Sequence, residues 1–144
     1  MASVSDFPAR GRVREVMANG LIVFLPLNTN YQLYLTPNGG NYSGPLDERI
    51  EGLIHVVAKK IWTVPSGGNF IAPIFGPPKT IQGRIRYLDK QVMVVQAGCP
   101  IVVELPADET VYDLVTGPLA VGAIANVLAL PGASFELVAA AAMT

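Results

Sequence analysis

Short apolar runs punctuated by turn residues dominate this chain. Leu21-Ile22-Val23-Phe24, Gln32-Leu33-Tyr34-Leu35, Leu53-Ile54-His55-Val56-Val57 and Val92-Met93-Val94-Val95 are rich in β-branched and aromatic residues. Gly, Pro and Asn clusters separate them at 28–30, 36–44, 65–68, 76–78 and 131–134. Runs of this length between such breakers predict short strands joined by tight turns. Strict alternation appears at Gly11-Arg12-Val13-Arg14 and again at Gly83-Arg84-Ile85-Arg86. Successive side chains of a strand face opposite ways, so the two arginines of each segment share one face and the apolar residue takes the other. Between Ser3 and Val138 no segment repeats its apolar positions at helical spacing. Only the end, LVAAAAMT, has helical composition.

The two Gly-Arg-x-Arg segments open a longer correspondence. Leu21–Phe24 matches Val92–Val95, and Gln32–Leu35 matches Val102–Leu105. Gly44-Pro45-Leu46 recurs as Gly117-Pro118-Leu119. Gly52 with Ile54 matches Gly122 with Ile124, and Pro65–Phe70 answers Pro131–Phe135. Six blocks in one order, with little drift in spacing, predict an internal duplication. About five strands per copy, the last two joined as a hairpin, point to an all-β chain of two small five-stranded OB-like barrels in tandem. Copy one spans 8–77 and copy two 78–138, followed by an Ala-rich tail at 139–144. The alternative is that the two copies merge into one larger barrel or sandwich. Copy one carries the insertion Asp47-Glu48-Arg49 and a longer final hairpin, Ala58–Val64.

Composition adds an assembly argument. Apolar residues make up 51% of the 144 positions and charged residues 15%. A chain this small has too much surface to hide that much apolar material inside itself, so a homo-oligomer is expected. Apolar runs are far shorter than the ~20 residues of a membrane helix, so no membrane partner is expected. MASVSDFPARGR lacks an apolar signal core, and the single Cys99 fits a reducing compartment. The cytoplasm is the expected location. The net charge of −1 conceals an asymmetry. Residues 1–90 hold all ten Lys and Arg with six acids, a net of +4, while residues 91–144 hold five acids and no base. Such polarity suits head-to-tail association or an anion site in the first half.

Candidate chemistry is sparse. His55 is the only histidine, and one histidine cannot build a metal site. Cys99 has no neighbouring base in sequence. Asp108, Glu109 and Asp113 lack the spacing of a calcium loop, and Pro65-Ser66-Gly67-Gly68 is not a phosphate-binding loop. No catalytic residue, metal site or cofactor is expected, and the protein is read as non-catalytic. The residues that suit a phosphate, a carboxylate or a nucleic-acid backbone are Arg12, Arg14, Arg84, Arg86, Lys59 and Lys60. Trp62 is the candidate stacking platform.

The plan of two five-stranded units in so short a chain resembles the tandem molbindins, which hold molybdate-like oxyanions between barrels. Their opening Ser-Ala-Arg-Asn run is replaced here by Pro8-Ala9-Arg10-Gly11, with no counterpart in copy two. The leading functional reading is a self-assembling structural or scaffold protein. A small-anion or small-ligand binder comes second. Single-stranded nucleic-acid binding by an OB-like face comes third, because the chain is not basic overall.

Overall fold

The computed structural model describes residues 3–140. Among them there is no α-helix; twelve strands form one mixed sheet. The first half holds β1 (Ala9–Val16), β2 (Ile22–Pro26), β3 (Gln32–Pro37), β4 (Ile50–Val64), β5 (Phe70–Ala72) and β6 (Phe75–Gly76). The second holds β7 (Thr80–Leu88), β8 (Val92–Gln96), β9 (Pro100–Glu104), β10 (Tyr112–Asp113), β11 (Ile124–Ala129) and β12 (Ser134–Ala140). The all-β expectation holds. Of the Ala-rich segment, Ala139 and Ala140 end β12, and 141–144 lie outside the described residues.

The strand pairings close on themselves twice. One ring runs β1–β2–β3–β12–β4 and returns to β1. The other runs β7–β8–β9–β4–β11 and returns to β7. In both, the β3–β12 and β4–β9 pairs are parallel and the others antiparallel. The fifth strand of each ring therefore comes from the other half of the chain. β12 completes the first ring, and the later part of β4 completes the second.

The expected hairpin over Ala58–Val64 does not form. β4 runs unbroken for 15 residues and passes from one ring to the other. No Gly, Pro or Asn interrupts Val57-Ala58-Lys59-Lys60, so nothing in that stretch turns the chain. Instead the pairing with β11 skips Lys59, which makes it the extra residue of a bulge. The bulge shifts the phase of β4. Ala58 faces inward on one side of it and Ile61 on the other, while Lys59 and Lys60 both face water. Two successive lysines in an otherwise alternating strand are explained by that shift. Pro65–Gly68 likewise does not fold β5 back on β4; β5 pairs with β7.

The two Gly-Arg-x-Arg segments take matching places. Gly11 and Gly83 point inward, and Arg12 and Arg84 outward. Arg14 and Arg86 are each the extra residue of a bulge against the next strand. The turn into the fourth strand of each ring also matches. Asp47 N–H donates to Val13 O at 2.8 Å, and Gly122 N–H donates to Ile85 O at 2.8 Å. Both turn residues have positive φ, 57° and 94°. The repeated motif thus serves backbone geometry: glycine where the strand must come close to its neighbour, arginine over the turn that follows.

One apolar cluster fills both rings, from Ile22, Phe24, Leu33 and Phe135 through Ile54 and Ile61 to Ile81, Ile85 and Val103. Each such side chain removed from water contributes about 1.5–3 kcal/mol. A second cluster lies outside the rings, where Leu53, Val94 and Val102 are covered by Val4 and Phe7 of the N-terminal segment. That cover explains why β4 shows three buried residues in a row at 52–54.

Cys99 belongs to the main core, and burial pushes its thiol from 9.0 up to about 12. Below 9.0 the folded and unfolded chains both keep the proton. Between 9.0 and about 12 only the unfolded chain loses it, so this group destabilises the fold progressively as pH rises through that interval. Urea midpoints above 9.0 are expected to fall more steeply for the native protein than for Cys99→Ala. Equal slopes in both would remove this assignment.

Candidate functional site

An open groove of about 800 Å³ lies on the first ring. Its floor is the β2–β3 loop, Leu27 to Tyr31, with β1 and the 47–49 turn on one side and Ile74-Phe75 on the other. Local hydrogen bonds hold the loop. Asn28 has φ 61°, a left-handed turn position that asparagine tolerates. Thr29 Oγ1 donates to Pro26 O at 2.9 Å and accepts from Tyr31 N–H at 3.3 Å. Tyr31 Oη accepts from Ile71 N–H at 3.1 Å, tying the loop to β5. On the far wall, Gln32 N–H donates to Ile74 O at 2.9 Å and β6 pairs with β3.

The two walls differ in chemistry. Arg12 and Arg49 stand on one, beside Asp47, with Arg12 Nε 3.8 Å from Asp47 Oδ1. The other presents Ile74 and Phe75, 55% and 58% exposed. Two guanidinium groups facing an apolar wall suit an amphipathic, negatively charged occupant.

The remaining expected contact residues are scattered. Arg14 Nη2 lies 3.7 Å from Glu15 Oε1. Arg84 Nη1 donates to Gly122 O at 2.7 Å, pinning the turn before β11. Arg86 Nη1 donates to Gln96 Oε1 at 3.4 Å and its guanidinium lies 5.4 Å from the centre of the Phe7 ring. Lys59 is in the β4 bulge. Lys60 Nζ lies 5.6 Å from the centre of the Trp62 ring. Trp62 lines a shallow depression of about 400 Å³ with Asp113, Val115 and Asn126. The structure therefore places Arg12 and Arg49 in one groove and Lys60 over Trp62, and gives Arg14, Arg84 and Arg86 other partners.

His55 is half-exposed, with Nε2 3.4 Å from Glu136 Oε1. Among the described residues no three His, Cys, Asp or Glu side chains cluster to hold a metal ion. No described helix is long and apolar enough to cross a membrane.

Arg49, Ile74 and Phe75 were not anticipated as site residues. Arg49 sits just before β4, next to the turn at Asp47. Ile74 and Phe75 lie in the Pro-rich connector, whose only signal was two bulky apolar residues among turn formers. Comparison with known proteins returns no matching family, no similar curated sequence and no similar solved structure.

Proposed function

We propose that this protein is a non-catalytic building block that associates with copies of itself in a structural or scaffold role. One observation carries the reading: large apolar side chains stand in water at two separate places. Ile74 and Phe75 flank the groove. Val115 and Val121, 90% and 65% exposed, stand on the segment between β9 and β11. Single exposed apolar residues are ordinary, but grouped ones mark surfaces that another molecule covers.

The scaffold in this reading is a duplicated pair of OB-like barrels, with copies at 8–77 and 78–138 that exchange their fifth strands. Three matches support it: the strand order of the rings, the bulges at Arg14 and Arg86, and the turns at Asp47 and Gly122. The setting is the cytoplasm, where the buried Cys99 thiol is protected from reaction.

Native mass spectrometry over a range of protein concentrations tests the function. A defined oligomer at multiples of the bare chain mass is expected. A monomer at every concentration sinks the reading. A discrete extra mass per chain moves the conclusion to a small-anion binder, which the Arg12–Arg49 wall supports as the second reading. Nucleic acid ranks third, because Asp113 pairs across from Trp62 and its carboxylate repels a phosphate backbone.

A further inference from the structure

We infer that the groove is the receiving half of a head-to-tail contact, and that it takes the acidic segment between β9 and β11 of a second copy of this chain. The inference rests on the self-association reading and specifies its contact.

The two surfaces are complementary in charge. The groove wall carries Arg12 and Arg49 against the single Asp47. Residues 105–122 carry Asp108, Glu109 and Asp113 and no Lys or Arg. They are also complementary in apolar character. Ile74 and Phe75 stand opposite the groove's arginines, and Val115 is the most exposed large apolar residue of the chain's described part. Charge pairs around an apolar centre favour the correct register and penalise the wrong one.

The donor segment is presented in a fixed shape. Tyr112 and Asp113 pair in parallel with Ile61 and Trp62 of β4, anchoring its middle. Tyr112 Oη donates to Pro106 O at 2.7 Å, closing the stretch before it. Asp113 Oδ1 accepts from Val115 N–H at 3.3 Å, and Gly117 N–H donates to Leu114 O at 3.0 Å. The tip around Val115 is a hydrogen-bonded turn held on the second ring, so little ordering entropy is lost when it docks.

Groove and tip are different surfaces of the chain, one on each ring. One contact between them leaves one groove and one tip free, which a closed ring, an open filament or a reciprocal two-fold dimer would use. The same polarity is written in the sequence, where the bases end at Lys90 and the acids continue.

Complementary variants test this. Arg49→Glu with Phe75→Glu spoils the groove and leaves the tip intact. Glu109→Arg with Val115→Arg spoils the tip and leaves the groove intact. Each variant alone is expected to be monomeric at concentrations where the native chain assembles, with apparent affinity down at least ~10-fold. An equimolar mixture is expected to associate again, because the first variant keeps its tip and the second its groove. A single chain carrying Arg49→Glu and Glu109→Arg together is expected to regain assembly. If the native chain assembles and both variants assemble equally well, the contact lies elsewhere and only this inference falls. If both are monomeric and neither the mixture nor the charge-swapped chain associates, the pairing of these surfaces is wrong. If the native chain is itself monomeric, the self-association reading falls first.

Discussion

Phe135→Ala is expected to destabilise the protein by about 3–5 kcal/mol, the range for removing a large buried aromatic side chain. Phe135 is 2% exposed, and its ring centre lies 5.0 Å from that of Phe24. It lies on β12, the last strand described, yet packs in the ring built from β1, β2 and β3. Gly52 across the pairing is shaped to it: a Cβ at Gly52 would meet Phe135 Cζ. The effect should therefore be local before it is global. Amide hydrogen exchange in Phe135→Ala should lose protection first in β1–β3 and the start of β4, at residues more than eighty positions away in sequence. Protection lost first in β7–β9 and β11 would mean that β12 does not complete the first ring. Chemical denaturation gives the magnitude, and a loss below about 1 kcal/mol would contradict the burial itself.

Gly83→Ala should be at least as severe, about 4 kcal/mol or more, which is exceptional for a single added methyl group. The new Cβ would fall on the carbonyl oxygen of Gln96, with the Gln96 carbonyl carbon 2.6 Å away and the Ala97 nitrogen 3.0 Å away. All three are backbone atoms of the paired strand and its exit, so relief requires breaking the β7–β8 ladder. Gly11 meets the same obstacle at Leu25 O and is expected to behave alike. Gly68→Ala is the control, since nothing lies within 4 Å of its Cβ position. It should be near neutral. The measurement is thermal or urea unfolding of the three variants side by side. A mild Gly83→Ala would show that the strands separate easily, and would remove the explanation offered here for the glycine in both Gly-Arg-x-Arg segments.

Those segments show how much of the site was readable in advance. Arg12 was found from alternation alone, because a period of two leaves no doubt about which face a side chain takes. Its partner Arg49 follows a turn, where no periodicity applies. Ile74 and Phe75 come from a connector whose position depends on β6 joining β3. The arginines read as two matched basic ridges prove to be spread among separate partners: Asp47, Glu15, the Gly122 carbonyl and the Phe7 ring. Matching letters specified matching backbone roles. They did not specify a shared ligand surface, because the outward face of each strand meets different neighbours.

The sequence by itself determined the class of structure. Short alternating runs between Gly and Pro breakers cannot bury their apolar faces as helices, so strands follow. The glycine and arginine of each Gly-Arg-x-Arg segment were also legible, since their places answer to strand-level geometry. Tertiary structure alone decided which strand completes which ring. A strand's pattern says which face is apolar, but its backbone donors and acceptors are nearly identical from one strand to the next. The choice of partner is made by packing, and here by Phe135 against Phe24 and Gly52, and by a β4 with no turn residue at its middle. The unbroken β4 carries the chain into the second ring. That leaves the first ring open, and β12 returns to close it.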